Sequence, residues 1–446
     1  MNISDLRIAL AVHCVVISMV LTATAFILKN KANFHLLSVG FWWWIGSTLF
    51  FLMNPLGSLL TNELSLYSAR LGRAGGVPQL YWVLLVICAG MGAYLLTYTA
   101  SAPIKRPVPL DIRPNKVVIG TLFGLFLLAL YQTVKYRTDI GGIPDVEIEH
   151  GKFVGSINGW QYTLNRFALF PITYFLMYRR TRVLGIAALI VLTAVRMYDY
   201  GDRLTMMSPF LAGMFLYLYR QKRKWPPVWM ACIVVIFTFF LVYRGHKTLN
   251  EKNEYSSQEM LESVGGAFTG NDTEMLSQLY LVTAVYDENG YTYATPLIET
   301  VLFGWIPRNI APWKDSIFDG MVFKPSNAPF VKMLLGPKSS IIGNLYSYGS
   351  LPAVMIGMAT CGFVSRRVDG LLADFQPVAV RALGFTYLSF VWMIVGSDLE
   401  WSVMYLGVIV CPLLIALACD RTLLGRSYYR SAERSRTGKL SGPRYV

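Results

Sequence analysis

Long apolar stretches recur along almost the whole chain, and they restrict its fold more than any other feature. A hydrocarbon core about 30 Å thick requires roughly 20 apolar residues per helix, and about eleven stretches approach that length. The chain has 446 residues and is 54% hydrophobic, with a mean hydropathy of +0.45. Lipid offers no partner for backbone N–H and C=O groups, so each stretch should be a helix. The sequence therefore predicts an all-α, polytopic integral membrane protein.

No Pro-, Gly- or Ser-rich linker divides the chain, so we expect one membrane domain over residues 1–446. Within it, residues 244–340 form one large polar loop, which is predicted to contain short helices, and residues 420–446 form a basic tail. The first span follows almost directly on Met1 without a small-residue cleavage site, so we expect it to be retained. The predicted spans are residues 6–28, 34–60, 79–100, 117–134, 160–178, 183–198, 204–219, 228–243, 341–363, 378–395 and 401–419.

The net charge of +14 is distributed unevenly between the connections. Every second connection is basic, and the short connections between them are acidic. This alternation follows the positive-inside rule, so it reports topology and gives no reason to expect a nucleic-acid partner. It predicts a cytoplasmic C-terminus and places the large loop on the outer face. The basic connections include residues 29–31, 105–116, 179–182, 220–224 and 366–367, and the acidic ones include residues 139–149, 199–202 and 398–400.

Four cationic side chains are predicted on the outer face, where positive charge is disfavoured. Arg203 precedes the seventh span, Arg244 closes the eighth, and Arg308 and Lys314 lie in a Pro- and Trp-containing part of the loop. Arg presents a planar fork that suits phosphate oxygens, and Lys adds a point charge. These residues are candidates for diphosphate binding. The alternative is that they only extend to the membrane interface.

Three residues on the same face are candidate general bases. His246 follows Arg244 closely, and imidazole titrates near physiological pH. Asp398 and Glu400 occupy a very short outer turn, where a poorly hydrated carboxylate can act as a base. An interfacial hydrogen-bonding role for His246, and a solvated turn for the two acids, remain the alternatives.

Asp145, Glu147 and Glu149 occupy alternate positions in the sequence, so an extended strand would place their three carboxylates on one side. Such a group could bind a divalent metal ion. Neighbouring acids in a polar loop usually bind nothing, so we expect no metal site. The chain also lacks the GxxxxGK[ST], HExxH and GxSxG motifs, which argues against ATP hydrolysis and protease chemistry. No cofactor is expected.

Three short motifs and the layout of spans resemble the bacterial O-antigen and exopolysaccharide polymerases of the Wzy type. One motif runs from Trp305-Ile-Pro-Arg308 to Lys314. The second is Gly343-Asn-Leu-Tyr-Ser-Tyr-Gly349, similar to the family's Gly-Glu-x-Tyr-x-x-Phe-Gly, and the third is Gly201-Asp-Arg203. The chain departs from the family pattern in the reversed order of Pro312-Trp313. It also has Asn344 where an acid is common, which weakens the idea of a base there.

The resemblance implies a membrane glycosyltransferase of the bacterial inner membrane. Its reaction would transfer a glycan from undecaprenyl diphosphate to the acceptor hydroxyl of another carrier-linked repeat unit on the periplasmic face. Partners would be the carrier-linked oligosaccharide, membrane lipid, and a chain-length regulator and flippase of the same pathway. A diphosphate is a good leaving group, so it needs cations more than an acid.

Aromatic side chains on the same face are candidate sugar-binding surfaces, although interfacial belt residues have the same pattern. They are Tyr291, Tyr293, Trp305, Trp313, Tyr346 and Tyr348.

Two other functions are compatible with the sequence. An O-antigen ligase would share the architecture, and a lipid-linked oligosaccharide flippase or other transporter would share the spans. A transporter should show pseudo-symmetric halves and spans broken by Gly or Pro. The single asymmetric outer loop favours an enzyme instead.

Overall fold

In a computed structural model, the chain is described over most of its apolar stretches. The structure describes only the backbone of residues 61, 135–139, 148–149, 152–153, 165, 196, 203–207, 209, 275, 277 and 289. The described residues are 3–31, 34–61, 76–108, 114–139, 148–149, 152–153, 165–196, 203–228, 275–294, 297–298, 301–302, 340–396, 399, 402–403, 406–407 and 409–420.

Nearly all of the secondary structure is helical. A π-helical segment, Leu49–Met53, joins α2 to α3, and 3-10 turns lie at Asn165–Ala168 and Gly370–Leu372. The helices are α1 (Ile3–Lys31), α2 (Val39–Thr48), α3 (Asn54–Thr61), α4 (Val77–Ala100), α5 (Lys116–Asp139), α6 (Leu169–Met177), α7 (Arg182–Arg196), α8 (Arg203–Arg220), α9 (Met275–Asn289), α10 (Ser340–Asp369), α11 (Val378–Leu388), α12 (Val391–Val395) and α13 (Ile409–Asp420).

The all-α prediction needs one addition, a small antiparallel pair of strands. Ile148–Glu149 pairs with Lys152–Phe153 in the segment between α5 and the 3-10 turn that precedes α6. The two-residue strands are too short to form a layer of their own. The fold is therefore a helical one with a minimal hairpin.

Four helices are long and apolar enough to cross a membrane, and they include α1, α4 and α10. The fourth is Lys116–Val134, which is most of α5. Five shorter apolar helices of 10–17 residues coincide with other predicted spans. These helices give the chain the character of a membrane-associated protein. The shorter ones are Arg166–Met177, Arg182–Val195, Phe210–Arg220, Val378–Leu388 and Ile409–Asp420.

Helix α1 shows why these helices suit lipid. Its inner face buries Leu10 and Leu21, and its outer face exposes Val15, Met19 and Phe26. A helix that is apolar on both faces has protein on one side and needs an apolar medium on the other. Contact of this apolar outer face with water would cost free energy, whereas contact with lipid would not.

Helices α4 and α10 pack against each other along the centre of the fold. Small residues allow this close approach, as in other membrane helix pairs. A Cβ atom added at Gly362 would meet the backbone oxygen of Tyr94 and the hydroxyl of Thr97, and one at Gly90 would lie 3.0 Å from Val354. A larger residue at Gly362 would therefore separate the helices.

Hydrogen bonds bring the basic connections to one end of the molecule, here called the basic end (residues 34–40, 98–108, 219–227 and 366–381). The backbone N–H of Val39 donates to Asp369 at 2.8 Å, and that of Val108 donates to Gln376 at 2.9 Å. Asp369 also accepts from the hydroxyl of Tyr98. Because α10 begins far from these contacts, its first turns mark the opposite end.

Candidate functional site

At the opposite end, α9 packs on the first turns of α10, in what we call the loop end (residues 77–82, 283–294 and 340–350). The backbone N–H and the hydroxyl of Thr292 both donate to the carbonyl of Ser347, at 2.9 and 3.1 Å. Gln79, near the start of α4, donates to the Thr283 hydroxyl at 2.6 Å. Part of the predicted large loop is thereby fixed to two of the longest apolar helices.

The carboxylate of Asp287 is the centre of the polar contacts there. The hydroxyl of Tyr346 donates to its two oxygens, at 2.7 and 2.9 Å, and the hydroxyl of Tyr291 donates to Oδ1 at 2.5 Å. The indole N–H of Trp82 in turn donates to the Tyr346 hydroxyl at 2.9 Å. Two tyrosines thus hold one carboxylate, and Trp82 fixes one of them.

Burial differs sharply within this group. Tyr346 has no solvent-exposed surface, whereas Asp287 is exposed. Asp287 lies in the last turn of α9, where the helix dipole disfavours negative charge, so the two phenol donors offset an unfavourable position. Burial, and then the hydrogen bond to Asp287, raises the pKa of Tyr291, which therefore stays a neutral donor at physiological pH.

The turn after α9 presents one aromatic ring outward. Tyr293 is 78% exposed and has a φ of 51°, in the left-handed region that few side chains adopt. Its neighbour Thr292 is the residue fixed to Ser347, so the ring projects from an anchored segment. Exposed aromatic area on a fixed backbone is suited to ligand contact.

Helix α10 is broken beside this cluster. Ser350 has φ 59° and ψ −154°, a conformation that costs a non-glycine residue about 1–3 kcal/mol. The break is caused by Pro352, which has no N–H and would clash with the carbonyl four residues earlier. The Ser350 hydroxyl is hydrogen-bonded to Tyr291 and Tyr346, so the strained residue contributes to the cluster.

Asn344 has a structural contact of its own. Its side-chain oxygen accepts the backbone N–H of Leu399 at 2.9 Å. Leu399 stands between the candidate bases Asp398 and Glu400 in the sequence. The first turn of α10 therefore contacts Leu399, and Asp398 and Glu400 themselves lie outside the described residues.

Of the predicted site residues, the structure describes only some. Tyr346 and Tyr348 lie in the first turns of α10, and both are buried, Tyr348 with 6% of its surface exposed. Arg203 begins α8, and only its backbone is described. The roles assigned to all of these residues stay predictions. Those outside the described residues are His246, Arg244, Arg308, Lys314, Trp305, Trp313, Asp398 and Glu400.

Among the described residues, no three His, Cys, Asp or Glu side chains are grouped closely enough to hold an ion. Asp145 and Glu147 lie outside these residues, and Glu149 is described only as backbone of the first strand. The expectation that no metal binds stays a prediction.

Sequence reasoning missed Asp287, Trp82 and Arg166. Arg166 is 2% exposed in the 3-10 turn at Asn165–Ala168, which lies inside the fifth predicted span. The signal for it was present, since an arginine inside an apolar stretch marks a functional candidate in membrane proteins. Asp287 gave a weaker signal, an acid followed by Tyr291 and Tyr293 in the polar loop.

Comparison with known proteins adds no relative. No protein-family model, curated protein or solved structure matches the chain. Functional inference therefore depends on the sequence motifs and the loop-end geometry.

Proposed function

We propose that the protein polymerises carrier-linked oligosaccharide repeat units at the periplasmic face of a bacterial inner membrane, with about eleven spans and a cytoplasmic C-terminus. The glycan leaves undecaprenyl diphosphate and joins the acceptor sugar of a second carrier-linked unit. Arg203, Arg244, Arg308 and Lys314 hold the diphosphate.

One observation carries this proposal, the contact between Tyr346 and Asp287. Tyr346 belongs to the Gly343–Gly349 motif, which resembles the polymerase family, and Asp287 belongs to the predicted large loop. The two residues are 59 positions apart, yet they meet at the end opposite the basic connections. This contact, together with the motif and the charge pattern, supports one site on the proposed outer face.

The chemistry fits a site without ATP or a nucleotide sugar. The acceptor hydroxyl loses its proton to a base, for which His246, Asp398 and Glu400 are the candidates, and attacks the anomeric carbon. The bond from that carbon to the diphosphate oxygen breaks, and the cations stabilise the departing charge. No metal or cofactor is needed for this step, so activity should persist in excess chelator.

The break in α10 favours a second candidate function, a transporter or flippase. In secondary transporters, helices that are broken near the middle of the bilayer often form the substrate site. Analysis of carrier-linked glycans in a deletion strain separates the functions. Single repeats that accumulate on the periplasmic side without a ladder support the polymerase. Long polymers that are not delivered indicate a ligase, and repeats that face the cytoplasm indicate a flippase.

The diphosphate site is tested by Arg308→Ala and Arg244→Ala. Each should lose about 2–4 kcal/mol of transition-state stabilisation, because a charge-assisted phosphate contact is removed. Arg308→Lys should restore activity only in part, since Lys lacks the bidentate fork. Polymer ladders on gels, at equal protein abundance, measure the effect.

The matched control is Arg223→Ala, which removes an exposed cation at the basic end. It should leave the ladder unchanged. Wild-type ladders from both outer-face variants would show that these arginines do not hold the diphosphate.

A further inference from the structure

We propose that the end of α9 and the turn after it form a carbohydrate-binding subsite for the acceptor repeat unit. In it, Asp287 accepts hydrogen bonds from sugar hydroxyls, and Tyr293 packs against a sugar ring. This inference rests on the proposed function and names the part of the protein that binds the acceptor.

The carboxylate is suited to hydroxyl binding. A carboxylate offers about four lone-pair sites, and the Tyr346 and Tyr291 hydroxyls donate to it from the protein side. Asp287 is nevertheless exposed, so acceptor capacity remains on its outer side. A hydrogen bond from a neutral hydroxyl to a charged oxygen is stronger than one between neutral groups.

The aromatic contact lies next to the carboxylate. Tyr291 binds the Asp287 carboxylate directly, and Tyr293 follows two residues later with most of its surface exposed. Sugar rings have an apolar face of C–H groups and a rim of hydroxyls. An exposed aromatic ring beside a fixed hydrogen-bond acceptor matches both features.

The geometry assigns Asp287 a binding role rather than proton abstraction. The Tyr346 and Tyr291 hydroxyls already donate to its oxygens at 2.5–2.9 Å, which fixes the carboxylate as a hydrogen-bond acceptor. Loss of Asp287 should therefore raise KM for the acceptor and leave kcat and its pH profile nearly unchanged. Tyr346, which is buried, is a positioning residue that holds the carboxylate.

The experiment uses the full-length protein in membranes of the deletion strain, with purified carrier-linked repeat units as the probe. Asp287→Asn and Tyr293→Ala should each raise KM about tenfold, the effect of losing a well-formed contact. Tyr346→Phe should raise KM less, because it only releases the carboxylate. Asp374→Asn and Tyr131→Ala are matched controls outside the loop end, since Asp374 is an 84% exposed acid and Tyr131 is a 59% exposed tyrosine on α5.

Binding is measured separately by saturation-transfer NMR, with the repeat-unit glycan released from the carrier by mild acid. The wild type and both controls should show equal transfer to the glycan, and Asp287→Asn should show less transfer at the same glycan concentration. Wild-type KM and transfer in Asp287→Asn and Tyr293→Ala would overturn the subsite. A deletion strain that accumulates no single repeats would overturn the proposed function itself, so the two failures are distinguishable.

Discussion

At the scale of single residues, Asp369 at the basic end has several polar partners among the described residues. Its carboxylate accepts hydrogen bonds from the Val39 backbone and the Tyr98 hydroxyl, and Arg366 lies 3.4 Å away. Tyr98 also accepts the N–H of Gly40 at 3.3 Å. One side chain therefore satisfies donors on α2, α4 and α10, and each would be unpaired without it.

We predict that Asp369→Ala lowers the free energy of unfolding by about 2–5 kcal/mol, because buried donors and a nearby arginine lose their acceptor. Thermal unfolding in detergent measures the loss. Asp374→Ala is the matched control, since Asp374 is 84% exposed and its pair with Arg381 at 3.7 Å is screened by water. Equal stability of the two variants would contradict a structural role for Asp369.

Residues of the site were predictable only where a local pattern indicated them. Tyr346 was found through a motif, whereas Asp287 was not, because its significance arises from a contact with a residue 59 positions away. Arg166 could have been noted from its place in an apolar stretch. Its degree of burial, however, depends on how α5 and α6 pack around it.

At the scale of elements, hydrophobicity located the described helices but not their interruptions, and residues 229–243 of the span predicted at 228–243 lie outside the described residues. The span predicted at residues 341–363 lies within α10, but that helix is broken at Ser350. Pro352 was visible in the sequence. Apolar content alone cannot tell whether a proline kinks a helix or breaks it, since neighbouring groups can satisfy the freed backbone.

We predict that Gly362→Val destabilises the pairing of α4 and α10 by about 1–3 kcal/mol or more, because the new side chain meets the backbone of α4 at Tyr94. A lower midpoint of thermal unfolding checks this. Gly92→Val on α4 is the control, because a Cβ atom there has open space around it. Similar effects from both substitutions would mean that helix propensity, rather than close approach, governs the result.

At the scale of the whole molecule, the charge pattern and the contacts agree on two distinct ends. Basic connections far apart in the sequence gather at one end, where Gln376 bridges Val108 and the backbone of Arg106. The alternating charge of the connections predicts such a gathering, because successive spans would cross lipid in opposite directions, and the orientation of the two ends stays a prediction. Which helices pack against each other was not predictable, because this depends on how closely two backbones can approach at small residues such as Gly362.

We predict that a reporter fused after Arg223 is cytoplasmic and that one inserted near Asn271 is periplasmic, because the connection charges alternate so regularly. Paired phosphatase and fluorescent-protein fusions measure the two locations. A cytoplasmic result at Asn271 would reverse the topology and put the proposed reaction in the wrong compartment.

The bond between Val39 and Asp369 also has a consequence for biosynthesis. Its two residues are 330 positions apart. At about 5–20 residues per second, the ribosome needs roughly 15–65 s to make the second after the first. During that interval, the Val39 N–H on α2 and the Tyr98 hydroxyl on α4 lack the Asp369 carboxylate to which they later donate. A nascent chain stalled before α10 should therefore be a substrate for membrane quality-control proteases.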